Sequence, residues 1–149
     1  MSEAPDWREL QKIPLFSHLS EQEIYQVAKL SFVKPYKKET TLFVEGMPGE
    51  VLYVVLRGGV EVFKKSPKGE MVIAELGAGD FVGEMSLIDD GPRSASARVS
   101  EDSELLVVTR KCFKDMMQSD PRISAKLLMQ FLLISNSRLR QADKRFELF

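Results

Sequence analysis

Between Ser31 and Thr109 the sequence runs as short segments rich in β-branched and aromatic residues, each closed by a turn. The segments are residues 32–36, 41–44, 51–56, 60–64, 72–76, 96–100 and 105–109. Between them stand Gly46-Met47-Pro48-Gly49, Gly58-Gly59, Pro67-Lys68-Gly69 and Gly77-Ala78-Gly79-Asp80. Short strands at this spacing, separated by glycine- and proline-containing turns, predict a β-sandwich or barrel. Gly46, Gly49 and Gly58 fall where a turn would need a positive φ, so they are read as shaping the barrel rather than as carrying chemistry.

Helices flank this region. A short helical turn is expected from Asp6 to Lys12, ending before Pro14. Ser20-Glu21-Gln22-Glu23 has the spacing of a capping box, with Ser20 as N-cap and Glu23 three residues on. The helix that follows should reach about Leu30, with Ile24, Tyr25, Val27 and Ala28 toward the core. After Thr109 the pattern is helical again over residues 111–118. Asp120 as N-cap and Pro121 at the first helical position start a long helix that should run to about Lys144.

The chain of 149 residues is read as a single domain, 1–149, with a helix-plus-barrel core at 13–110 and C-terminal helices at 111–149. Its net charge of −1 argues against a nucleic-acid-binding surface. The single cysteine, Cys112, excludes an internal disulfide framework or a Cys-rich metal site within one chain. The single histidine, His18, argues against a metal-dependent barrel enzyme, which needs several His ligands. The polar start, Met1-Ser2-Glu3-Ala4-Pro5-Asp6, is unlike a signal peptide, and the apolar runs are too short for a membrane span. A cytoplasmic protein without membrane contact is expected.

The chemistry concentrates in Phe81-Val82-Gly83-Glu84-Met85-Ser86-Leu87 and Pro92-Arg93-Ser94-Ala95-Ser96-Ala97. Gly83 lets backbone approach a ligand where a Cβ would clash. Gly83 to Leu87 reads as the first turn of a short helix, whose unpaired N–H groups favour an anion. Glu84 is an acceptor suited to a ribose hydroxyl. Arg93 offers a cationic fork that matches phosphate oxygens. Ser94 adds a hydroxyl, and Ala95 leaves its N–H unobstructed. A nucleoside cyclic monophosphate, with one charge and a free 2′-hydroxyl, meets both the carboxylate and the cation.

This segment resembles the phosphate-binding cassette of the cyclic-nucleotide-binding domain family: F-x-G-E, an apolar residue, a small residue and Leu, then a short loop and P-R-S-A. Phe43-Val44-Glu45-Gly46, Tyr53 to Gly58 and Val60-Glu61-Val62 resemble the family's approach to that cassette. The resemblance covers about Ile13 to Asp120. It implies an α+β fold, an antiparallel β-barrel of the jelly-roll (double-stranded β-helix) type with N-terminal helices and a long C-terminal helix. It implies a ligand site at Gly83, Glu84, Met85, Ser86, Arg93, Ser94 and Ala95, binding without turnover, no catalytic residue, and no cofactor besides the ligand. Cyclic AMP is the expected ligand, with cyclic GMP the alternative.

Leu127 to Ile134 is apolar almost all round, which gives the tail helix two faces to bury. One face is assigned to the barrel or ligand, the other to the same helix of a second subunit, making a homodimer; the alternative is a helix sunk into its own fold, which periodicity alone does not separate. Leu133 and Arg138 are the candidates for capping the base, neither assigned; the later charges, Arg138, Arg140, Lys144 and Arg145, are read as a solvated face. The chain ends at Phe149 without room for a helix-turn-helix domain, so it is read either as an isolated sensor module acting through an unidentified protein effector or as a piece of a longer protein. The competing reading is a non-catalytic assembly module whose pocket is vestigial.

Overall fold

The computed structural model describes residues 3–146, and side chains through residue 142. Six strands and four helices follow in the order α1 (Trp7–Leu10), α2 (Glu21–Lys29), β1 (Phe32–Tyr36), β2 (Thr41–Phe43), β3 (Val51–Ser66), β4 (Gly69–Leu76), β5 (Phe81–Val82), β6 (Ser96–Thr109), α3 (Arg110–Ser119) and α4 (Pro121–Phe146). Two 3-10 turns, Pro14–Phe16 and Glu84–Leu87, complete the elements among the described residues.

The frame is one long antiparallel ribbon, β3 paired with β6, bent at its middle. Before the bend, Val51 to Val55 pairs with Leu105 to Thr109; after it, Val60 to Phe63 pairs with Ser96 to Val99. The register shifts at Arg57 and Gly59 mark the bend. Gly58 makes it possible: its φ is +102°, and an added Cβ would overlap the Ser103 side chain and lie 2.8 Å from the Ser103 Cα. Ser103 seals the opposite side, its hydroxyl accepting from the Gly59 N–H at 3.0 Å. β1 and β5 flank the first half of the ribbon; β2 and β4 flank the second. The product is a roll of two facing half-sheets, the jelly-roll arrangement expected, with β1 and β4 left as ends rather than joined into a closed ring.

The sequence reading separates residues 51–56 from 60–64, and 96–100 from 105–109, as four strands; each pair is one continuous strand, because Gly58 serves a bulge rather than a chain reversal. Gly46 does take the positive φ expected of it, +84°, whereas Gly49 does not.

Alternation along the ribbon gives two cores. Leu52, Val54, Leu56, Leu106 and Val108 face the helices, where they meet Leu10, Phe16, Ile24, Val27, Phe113, Ile123, Leu127 and Phe131. Val55, Val60, Ala97, Val99 and Leu105 face the inside of the roll, packed by Tyr36, Phe43, Tyr53 and Val82. The capping box of α2 forms with both hydrogen bonds present. Tyr25, placed toward the core by the sequence reading, is half exposed instead; Ile24, Val27 and Ala28 suffice for the stripe of so short a helix.

α4 is fixed along its first half. Ile123, Leu127 and Phe131 are buried, Gln130 donates to the Pro14 carbonyl (3.0 Å) and to the Ser17 hydroxyl (3.1 Å), and Lys126 pairs with Glu23 at 2.7 Å. The Lys126 ammonium lowers the pKa of the Glu23 carboxyl. Met129, Leu132, Leu133 and Leu139 lie on the other side and are exposed. The two apolar faces inferred from the sequence are thus one buried face and one open face. Among the described residues, no helix is long and apolar enough to cross a membrane.

Candidate functional site

The site lies where β5 leaves the roll. Phe81 and Val82 pair with Val54 and Tyr53. Gly83 then turns the chain with a φ of +93° and starts the 3-10 turn Glu84–Leu87. Only glycine fits: besides the left-handed backbone, a Cβ here would lie 2.8 Å from the Val51 carbonyl and 2.6 Å from Nη1 of Arg93. Leu87 is buried and anchors the turn, while Met85 is largely exposed at the edge of the cavity.

Arg93 is held from both sides of the chain. Its N–H donates to the Met47 carbonyl at 2.9 Å, and its carbonyl accepts from the Gly46 N–H at 2.8 Å. The hydroxyl of the buried Ser96 accepts from the Glu45 N–H at 2.9 Å and ties down the same loop. The Arg93 side chain is only 8% exposed. Its guanidinium lies over the Phe43 ring, 4.0 Å from the centroid, and Nη2 donates to the Val51 carbonyl at 3.0 Å. Nε and Nη1 are buried and have no hydrogen-bond partner among the described residues.

A buried guanidinium with two unpaired nitrogens is costly unless an anion completes it. Burial is the main cause that lowers the Arg93 pKa; the nearby Arg110 pushes the same way, while Tyr53 and Glu84 oppose it. Arginine nonetheless remains charged at neutral pH.

Gly83, Glu84, Met85, Ser86, Arg93, Ser94 and Ala95 all line one cavity of about 420 Å³, a volume in the range of small-molecule sites. Its polar wall is the turn and Arg93; its opposite wall is Val62, Ala74, Leu76 and Val82, from β3, β4 and β5. A cation and a carboxylate at one end and apolar side chains at the other fit a ligand with an anionic end, hydroxyls and a flat apolar ring.

Two contributors escape the sequence reading, and a third is named there only as an unassigned candidate cap. Phe43 supplies the face against which Arg93 is laid. Gly49, read as a turn glycine, owes its identity to contact: the three atoms nearest an added Cβ all belong to the Arg93 guanidinium, inside any tolerable separation. Arg138, a candidate cap that is also read as part of a solvated face, is half-buried and lines the cavity; Nη2 donates to the Phe81 carbonyl at 3.0 Å, and its guanidinium lies 4.5 Å from the Phe81 ring centroid. Leu133, the other candidate cap, is exposed on the opposite side of α4. Lys144 and Arg145 lie outside the residues whose side chains are described.

Residues 33–120 match the cyclic nucleotide-binding domain family. The chain belongs to that family. Among curated relatives, it is 35% identical over 136 residues to the "Cyclic AMP receptor protein" of Thermus thermophilus, covering 91% of this chain and 61% of that protein. It is 33% identical over 108 residues to the "cAMP-dependent protein kinase regulatory subunit" of Aspergillus fumigatus, covering 72% of this chain and 26% of that one. The chain therefore spans less than two thirds of the length of these relatives. A solved cyclic nucleotide-binding domain from Methylobacillus flagellatus superposes with a TM-score of 0.83 at 33% identity, over 93% of this chain and 79% of that one. As a cyclic nucleotide-binding domain, the chain is similar to sensor and regulatory proteins.

Proposed function

We propose that this domain is a cyclic AMP receptor that binds its ligand without turnover and passes occupancy through α4 to a partner. The observation that carries the reading is Arg93, buried against Phe43 with Nε and Nη1 unpaired beside Gly83. In this reading Arg93 pairs with the exocyclic phosphate oxygens, the backbone of Gly83, Met85 and Ser86 lines the phosphate end, and Ser94 and Ala95 complete it. Glu84 accepts from the ribose 2′-hydroxyl. The base lies along Val62, Ala74 and Leu76, with Arg138 of α4 at its edge. The names of the relatives, a cyclic AMP receptor protein and a cAMP-dependent kinase regulatory subunit, support adenine over guanine.

The route outward begins at Phe81, the first residue of the cassette. Its ring meets Phe131 of α4 edge to face, with centroids 5.3 Å apart, and its carbonyl accepts from Arg138. A ligand that shifts the turn after Val82 therefore shifts the seat of α4, and its differential affinity for two α4 positions is what biases the partner. The open side of α4 carries Met129, Leu132, Asn136 and Leu139 at spacings of three and four, the seam of a two-stranded coiled coil with a polar residue at one core position. A homodimer through this seam is part of the proposal.

The test is calorimetric titration of refolded, nucleotide-free protein with cyclic AMP and with cyclic GMP. Saturable binding that favours cyclic AMP is expected. A folded protein silent to both nucleotides would overturn the receptor reading in favour of an assembly module.

A further inference from the structure

Arg110, the first residue of α3, makes more polar contacts than α3 itself needs. Its side chain is 15% exposed, and its donors reach three separate parts of the chain. Nε donates to the Ser86 carbonyl in the cassette turn at 2.7 Å. Nη2 donates to the Gly49 carbonyl at 2.6 Å and to the Asp89 carbonyl at 3.2 Å. Nη1 pairs with the Asp90 carboxylate at 2.7 Å, and the Arg110 N–H donates to the Glu50 carbonyl at 2.8 Å. α3 is already capped, because the Thr109 hydroxyl accepts from the Cys112 N–H. A cation in the first turn opposes the helix dipole, so this arginine does not serve the helix it begins.

What it holds is the site. The Gly49 carbonyl belongs to the residue pressed against the Arg93 guanidinium, and Ser86 and Asp89 bracket the exit of the cassette turn. The planar fork of arginine, with five donors, can satisfy three carbonyls and a carboxylate together; an ammonium cannot reproduce that geometry. Arg110 also adds a second positive charge near Arg93, a repulsion that an anion between the cassette groups would relieve.

We propose that Arg110 is a positioning residue. It fixes the cassette turn against the Gly49 loop so that Arg93 and the Gly83–Ser86 backbone face one anion, and it ties that shape to α3 and α4. The ligand part of this inference rests on the receptor reading above.

The test compares wild type, Arg110→Gln and Arg110→Lys, with Arg57→Gln as control. Arg57 also spans distant elements, pairing with Glu9 and Glu104, but it lies outside the cavity. Without nucleotide, amide hydrogen exchange over residues 84–90 and 110–119 should speed up in Arg110→Gln and stay unchanged in Arg57→Gln. With cyclic AMP, affinity should fall at least about tenfold in Arg110→Gln, the scale of losing several bonds to a charged group, and ligand protection of α4 amides should fall with it. Arg110→Lys should remain at least about threefold weak for want of the fork; if Arg110→Gln does not fold, this variant carries the test. Unchanged exchange over 84–90, full recovery by lysine, or equal losses in the Arg57 control would each overturn the proposal. If wild type binds no cyclic nucleotide, the receptor reading falls, and the nucleotide-free exchange still decides the role of Arg110.

Discussion

Gly49→Ala separates the placement of Arg93 from its charge. The Gly49 backbone is not left-handed, so alanine carries no conformational penalty there. The cost comes from the new methyl, whose three nearest neighbours are Nε, Cζ and Nη2 of Arg93. An ordinary contact needs about 3.5 Å, so the guanidinium has to retreat by about 1–1.5 Å. That breaks its bond to the Val51 carbonyl and its contact with Phe43, and it turns the fork away from the anion. Losing one charge-assisted hydrogen bond to phosphate costs about 1.5–3 kcal/mol, which converts to about tenfold to about 150-fold in affinity. Folding stability should suffer less, because the displaced guanidinium regains water at N–H groups that are buried and unpaired in wild type.

The assay is a double-mutant cycle by calorimetry with cyclic AMP. In the Arg93→Ala background the methyl has lost its nearest neighbours, so Gly49→Ala should add less than about twofold there, the non-additivity expected of residues in contact. An equal loss in both backgrounds would refute the reasoning, since the methyl would then act on something other than Arg93.

Glu84→Gln should weaken cyclic AMP less than Arg93→Ala does, and should reduce the preference for cyclic AMP over its 2′-deoxy analogue, since the glutamine carbonyl is a weaker, uncharged acceptor; an unchanged preference removes Glu84 from the ribose. Leu132→Asp, on the open side of α4, should shift the protein toward monomer in sedimentation velocity while leaving thermal stability within about 1 kcal/mol, as for an exposed position; an unchanged sedimentation coefficient argues against the α4 seam. Burial first, then Tyr53, pushes the Tyr36 pKa up from 10.0 to about 12. The folded state thus keeps this proton where the unfolded state releases it, so the Tyr36 contribution is intact below pH 10 and is lost as pH rises from 10 to 12. Denaturant unfolding across that window should fall less steeply with pH in Tyr36→Phe than in wild type, and identical slopes would contradict the assignment.

What the sequence revealed depended on whether a signal was local. The Ser20–Glu23 capping box, the Pro121 helix start and the Gly83 turn are set by neighbours within four residues, and all three stand as read. The seven cassette residues also lie close in sequence, and they line one cavity. Gly58 misled because a turn and a bulge ask the same thing of a glycine, a positive φ; only the Ser103 side chain across the ribbon tells them apart. Gly49, Phe43, Arg110 and Arg138 take their roles from partners 20 to 61 residues away or from a helix that returns to the cavity, and no periodicity marks them. Arg138 is instructive: in a polar stretch of helix it reads both as a candidate cap and as part of a solvated face, and only the path of α4 back toward β5 gives it the Phe81 carbonyl.

The central claim is that the buried, half-paired Arg93 exists to bind a cyclic phosphate. The most direct measurement is titration of cyclic AMP into nucleotide-free wild type and Arg93→Ala side by side, with both shown to be folded by far-UV circular dichroism. The account predicts saturable binding by wild type and a loss of at least about tenfold in the variant. Arg93→Ala binding within twofold of wild type would contradict it.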